Sequence, residues 1–102
     1  MKKIAIAVAL LALAAATGAS AAPPTQSVTC VVGGTTSFAH PPRGTNNATF
    51  TYYTLSALAG TSAWAGGQRR TSTPAWVTSD HYVIATFFNG SDELGSAEAS
   101  CS

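Results

Sequence analysis

The sequence predicts an all-β domain, a small sandwich of about seven short antiparallel strands, behind an N-terminal signal helix. Two observations lead to this prediction. Residues 1–21 have the pattern of a secretory signal peptide. The rest of the chain alternates short β-rich runs with turn residues at intervals of about ten positions, and no run is suited to a stable helix. Such spacing indicates a β-sandwich or a β-barrel, and we predict the sandwich.

The signal peptide has a basic start, an apolar run and a small-residue cleavage pattern. Lys2 and Lys3 precede the apolar run 4–16, and Ala19-Ser20-Ala21 matches the cleavage pattern. An uncleaved anchor is the alternative, but the run is shorter than the about 20 residues that span a bilayer. We expect a signal peptide over 1–21 of bacterial type. The mature domain, 22–102, is then secreted, either to the periplasm or outside the cell, without a membrane anchor.

The mature chain is close to neutral. The whole sequence has a net charge of +1, but both lysines leave with the signal peptide. Residues 22–102 keep three arginines against four carboxylates, which gives a formal charge of −1. Because no strong field of either sign remains, we predict no nucleic-acid partner.

Cys30 and Cys101 are the only cysteines. A secreted domain of this size has a marginal core and commonly needs a crosslink, and an oxidising compartment preserves one. We therefore predict a Cys30–Cys101 disulfide, with two free thiols as the alternative. A structural zinc site needs about four ligands, and His40 and His81 are isolated in the sequence. We expect no metal and no cofactor.

Seven runs have the residue types of strands, and the last two form a hairpin through the polar segment 89–93. Because Pro74 has no N–H to donate to a neighbouring strand, we predict that the fifth run is an edge strand. The predicted strands are 27–32, 35–39, 48–55, 58–64, 71–77, 81–88 and 94–101.

Alternation along these strands predicts which side chains face the core. The inward set is Val28, Cys30, Val32, Ala48, Phe50, Tyr52, Val83, Ala85, Phe87, Ala97, Ala99 and Cys101. The sixth strand is apolar on its other face as well, where Tyr82, Ile84 and Phe88 stand. Either a loop covers these three side chains or they form an exposed aromatic patch.

The run Asp80-His81-Tyr82 before a β-rich strand and the hairpin ending at Cys101 resemble a small secreted bacterial immunoglobulin-like β-sandwich protein. In that family a tyrosine often stands at the start of the sixth strand, and Tyr82 matches this position. Trp64 is the candidate for the family's core tryptophan. The chain departs from the family in its cysteines, because the usual disulfide joins the second and sixth strands.

Catalytic motifs are absent from the sequence, including the nucleophile elbow, the zinc-protease helix and the phosphate-binding loop. Asp80 and His81, with many serines nearby, suggest a catalytic triad. Neighbours on a strand point to opposite faces, so we expect that they do not converge on one serine. We predict that the protein is not an enzyme.

The candidate binding residues lie in two loops. They are Arg43 in a proline-rich loop, and Trp64 with Arg69 and Arg70 around a glycine-rich loop. Arginine and tryptophan are enriched at binding hot spots. Ordinary solvated charge for the arginines, and core packing for Trp64 and Trp76, are the alternatives.

From these residues we predict a monomeric, non-enzymatic binding or structural domain with an unknown protein or glycan partner outside the cytoplasm. An inhibitor of an extracellular amylase or protease is the alternative function. Small streptomycete amylase inhibitors are similar in size, secretion and all-β character. They carry four cysteines and a Trp-Arg-Tyr triplet, and this sequence has neither.

Overall fold

A computed structural model describes residues 25–102, which form seven β-strands in two antiparallel sheets. The predicted signal peptide, 1–21, lies outside the described residues. One sheet has the order β1-β2-β5 and the other the order β4-β3-β6-β7. No described helix is long and apolar enough to cross a membrane. The strands are β1 (Ser27–Cys30), β2 (Thr35–Ala39), β3 (Asn47–Tyr53), β4 (Leu58–Trp64), β5 (Arg70–Ser72), β6 (Tyr82–Asn89) and β7 (Asp92–Ser100).

The core lies between the two sheets and contains most of the side chains that alternation predicted, together with Phe38 and Val77, which were not predicted. The predicted inward residues of β3 and β6 are buried, as are Val28, Cys30 and Cys101, and Ala97 and Ala99 pack against them. The prediction for Val32 is wrong, because β1 ends at Cys30. Gly33 then adopts a positive φ of 76°, and the amide of Gly34 donates to the Val31 carbonyl (3.0 Å) in a turn.

The fifth strand is an edge strand, but it is shorter than predicted. β5 ends at Ser72, and the amide of Val77 donates to the carbonyl of Pro74 (3.0 Å) in a turn. Pro74 has no N–H to give to a ladder, so the chain leaves the sheet before it.

The closing hairpin is tighter than the predicted loop 89–93. Asn89 pairs with Asp92, so that only Gly90 and Ser91 form the turn. Gly90 has a φ of 62°, which suits the first central position of a two-residue hairpin turn. A register shift at Phe87/Phe88 then absorbs one extra residue of β7.

The predicted disulfide is confirmed and connects the two sheets. Cys30 at the end of β1 bonds to Cys101 just after β7, across 71 positions of sequence. Backbone bonds flank it: Ser102 N–H donates to the Cys30 carbonyl (3.1 Å) and Val32 N–H donates to the Ser102 carbonyl (2.9 Å). The bridge therefore closes one side of the sandwich, and it is consistent with an oxidising compartment.

The outer face of the four-stranded sheet carries Tyr82, Ile84 and Phe88, and all three are half-buried. The ring of Tyr82 stacks on Tyr53 of β3, with centroids 5.2 Å apart and 17° between the planes. Tyr82 is the first residue of β6. Tyr82 is thus shielded by a neighbour on the same face, and none of the three side chains is fully exposed.

Trp76, in the connection between β5 and β6, covers the inner side of β4. Its ring meets Tyr52 edge to face (5.6 Å between centroids) and lies so close to Gly60 that a Cβ there would be 2.6 Å from two ring atoms. The three-stranded sheet has no fourth strand to face β4. Trp76 therefore covers the inner side of β4 at Gly60, although it remains 46% exposed.

We expect Gly60→Ala to lower the free energy of unfolding by about 1–2 kcal/mol, because the new methyl group displaces Trp76 from Tyr52. Urea denaturation and tryptophan emission measure the effect. In a Trp76→Ala background the same substitution should be neutral or stabilising, since alanine suits a strand better than glycine. Equal losses in both backgrounds would show that Trp76 is not the cause.

Candidate functional site

Three connections lie at one end of the sandwich, which we call the loop end. They are the β2–β3 loop (40–46), the β4–β5 loop (65–69) and the β6–β7 turn (90–91). The ladder registers bring them together, because the start of β3 pairs with both the end of β4 and the end of β6. The disulfide lies at the opposite end of the sandwich.

Asparagine side chains hold the β2–β3 loop against the β6–β7 turn. Asn89 Nδ2 donates to the Gly44 carbonyl (2.7 Å), and Gly90 N–H donates to Asn46 Oδ1 (2.9 Å). Asn47 Nδ2 donates to the Gly90 carbonyl (3.1 Å), and Asn46 N–H donates to the Phe88 carbonyl (2.9 Å). Two connections that would otherwise move separately are thereby bonded into one rigid unit.

The loop end carries all three arginines of the domain. Arg43 lies in the β2–β3 loop, Arg69 ends the β4–β5 loop and Arg70 begins β5, and all three are exposed. Among the described residues, none of the three forms an ion pair with a carboxylate. Their planar guanidinium groups are free to take carboxylate or phosphate groups of another molecule.

Trp64 links this surface to the core. Its ring meets Phe38 edge to face, with centroids 4.9 Å apart, and its Nε1 donates to the Gln68 carbonyl (2.6 Å). The side chain is half-buried. Trp64 thus fixes the glycine-rich loop that leads to Arg69 and leaves part of the indole at the surface.

Acidic residues lie at the same end, on the far side of the sheet. Asp92 and Glu93 begin β7, next to the turn, and both are exposed. β7 and β4 are the opposite edges of the four-stranded sheet. Negative charge therefore borders one edge of the loop end, while Arg69 follows the other edge.

Asp80 and His81 lie at the disulfide end, and the expectation that they are neighbours on a strand is wrong. They belong to a turn, not a strand, and Asp80 Oδ1 lies 3.3 Å from His81 Nδ1. Thr78 engages both: its N–H donates to His81 Nδ1 (3.0 Å), and its hydroxyl donates to the Asp80 carboxylate. That hydroxyl bond, with a backbone bond and the nearby imidazole, holds the pKa of Asp80 below its usual value.

The hydroxyl beside His81 is that of Thr78, which lies 3.1 Å from Nδ1. Since the imidazole is buried and Nδ1 accepts the backbone amide, we interpret the Thr78–Asp80–His81 group as a structural turn. Within residues 25–102 no three His, Cys, Asp or Glu side chains are grouped as metal ligands would be.

Sequence reasoning selected Arg43, Trp64, Arg69 and Arg70, and the fold brings all four to the loop end. It missed Asn46, Asn47 and Asn89, which organise that end. Their only signal was the concentration of asparagine in two separate turns. Comparison with protein-family models, curated proteins and solved structures finds no match for this chain.

Proposed function

We propose that this protein is a secreted, non-enzymatic binding domain that contacts its partner through the loop end. The observation that carries the proposal is that four separately selected residues lie at one end of the sandwich. Arg43 lies on the side of β6 and β7, and Trp64, Arg69 and Arg70 lie on the side of β4 and β5. Arginine and tryptophan supply a large share of the energy at protein interfaces. The partner is a protein or glycan outside the cytoplasm that offers carboxylate groups to the three guanidinium groups.

Rigidity of the loop end supports a binding role. The asparagine bonds between residues 44–47 and 88–90 order both connections before a partner arrives. A surface that is already ordered loses less conformational entropy when it binds. The same property suits the alternative function, inhibition of an extracellular hydrolase by a rigid loop.

We also propose that the domain is a variant immunoglobulin-like sandwich. If the strands are lettered A to G, the sheets have the orders A-B-E and D-C-F-G. The constant-type immunoglobulin domain has A-B-E-D and C-F-G, so only the fourth strand differs in its sheet. In this arrangement the B–C and F–G connections share one end, as they do in antibody variable domains.

Binding of the mature protein to a panel of extracellular amylases, proteases and acidic polysaccharides tests the function. We expect the triple variant Arg43→Ala/Arg69→Ala/Arg70→Ala to weaken binding to the responding partner at least about 30-fold. Glu98→Ala is the control, because Glu98 is exposed on β7 away from the loop end. Loss of enzyme activity on binding identifies the inhibitor. Equal affinities of the triple variant and the native protein would contradict the proposal.

A further inference from the structure

β4 has one edge that the rest of the described chain does not use. It pairs with β3 along one side and forms the border of the four-stranded sheet on the other. In residues 25–102, no backbone or side-chain hydrogen bond reaches the main chain of β4 from that outer side. Such a row of free N–H and C=O groups is a template for pairing with another strand.

The other edges of the sandwich are protected. β5 has three residues, begins with Arg70 and is followed by Pro74, so it offers little to a neighbour. β1 and β7 lie beside each other and are joined by the Cys30–Cys101 bridge. Charge, proline, short length and a covered edge are the usual means of preventing edge pairing.

β4 lacks these protections along most of its length. Its seven residues contain neither a charge nor a proline. A bulge opposite Tyr52/Tyr53 disturbs only its beginning, and Gly60–Trp64 remains regular. β5 approaches β4 from the other sheet, but no hydrogen bond joins the two strands. The main-chain groups along this part of the edge therefore have no partner within residues 25–102.

The surroundings of β4 are also uncharged and partly apolar. Residues 44–68 contain no charged side chain. Leu55, three residues before β4, is 98% exposed, and Leu58, the first residue of β4, is 61% exposed. Trp76 over Gly60 is 46% exposed. Apolar side chains that flank an open edge add buried area when the edge is paired.

We propose that the occupant is a second copy of this chain, which pairs its own β4 antiparallel to the first. The twofold axis passes near Thr61, the middle residue of β4, so that the two sheets become one sheet of eight strands. Thr61 of one copy then faces Thr61 of the other, and Gly60 faces Ser62. A twofold contact uses the same edge of both copies, so the assembly closes as a dimer.

Self-complementarity favours a second copy over an unrelated peptide. Antiparallel self-pairing opposes no like charges, because the strand and its flanks carry none. Thr61 is paired with Thr51 of β3, whose neighbours Phe50 and Tyr52 point into the core, so Thr61 lies on the outer face. Threonines directly opposite each other in an antiparallel pair stabilise it. The proposed dimer differs from the monomer expected from the sequence, and the experiment below decides between them.

Sedimentation equilibrium of the mature, disulfide-intact protein from about 1 µM to 1 mM tests the proposal, because edge contacts of this size bind weakly. We expect the native protein to dimerise. Thr61→Lys should raise the dissociation constant at least about tenfold, since it sets two lysines against each other at the axis. Thr51→Lys is the matched control, with the same change on the same face one strand further in, and it should leave the dimer intact.

A mixture of the variants Thr61→Lys and Thr61→Glu should form a heterodimer at concentrations where each alone is monomeric, which also shows that both variants fold. Hydrogen exchange of the β4 amides should slow as the native protein is concentrated. A native protein that is monomeric up to 1 mM overturns the proposal. It is also overturned if the lysine variants at 61 and 51 dimerise equally.

Discussion

We expect removal of the Cys30–Cys101 disulfide to lower the free energy of unfolding by about 4 kcal/mol, which corresponds to a fall in Tm of roughly 15–30 °C. The bond closes a loop with a sequence separation of 71, and its loss frees much chain entropy in the unfolded state. Thermal and urea denaturation of the variant Cys30→Ala/Cys101→Ala measure the effect. Alanine is chosen because both positions are buried among apolar side chains.

Two controls separate the crosslink from the packing of the sulfur atoms. Reduction of the native protein should reproduce most of the loss while keeping both side chains. Amide exchange should also become faster at Val32 and Ser102, whose backbone bonds flank the bridge. A reduced protein that melts at the same temperature as the oxidised one would contradict the prediction.

We expect Phe38→Ala to lower the free energy of unfolding by about 3–5 kcal/mol. Phe38 belongs to the three-stranded sheet, and its ring contacts one aromatic side chain on each of three strands of the other sheet. The centroid distances are 6.1 Å to Phe50, 4.9 Å to Trp64 and 5.2 Å to Phe87. Truncation leaves a cavity between the sheets, and the neighbouring aromatic rings are too large and rigid to collapse into it.

Urea denaturation measures this loss, and near-ultraviolet circular dichroism reports the change around Trp64. Phe38→Leu should cost less, because leucine fills part of the cavity. Leu55→Ala, at a 98% exposed position, is the surface control and should change stability by less than about 0.5 kcal/mol. A Phe38→Ala variant as stable as the Leu55→Ala variant would show that the inter-sheet contacts contribute little.

Much of this fold could be predicted from local patterns. Alternation placed Phe50 and Tyr52 of β3, and Val83 and Phe87 of β6, in the core because a side chain one position away points to the opposite face. The predicted strand ends were less accurate where a turn hydrogen bond follows the strand, as after Cys30 and Ser72. Turn residues indicate where a chain bends, but the exact length depends on which amide finds which carbonyl.

The sequence identified the residues of the candidate site but not their common location in the fold. Arg43 and Arg69 are distant in sequence, and nothing local says that their loops share an end. The hydrogen bonds of Asn46 and Asn89 join residues 44 and 45 positions apart, so no short window of sequence contains both partners. Core packing was one of the two interpretations of Trp76, but its position over Gly60 could not be predicted, because Gly60 has no side chain to form a pattern.

The sequence by itself determined the all-β class, the seven strands, the inward faces of β3, β6 and β7, and the one possible disulfide. These follow from residue type, period and count, which are local properties. The tertiary structure alone decided that Cys30 and Cys101 join two different sheets, that three connections lie at the loop end and that the outer edge of β4 remains unpaired. The physical reason is that strand order is set by packing and hydrogen bonding between segments far apart in the chain, and these contacts leave no periodic trace in either segment.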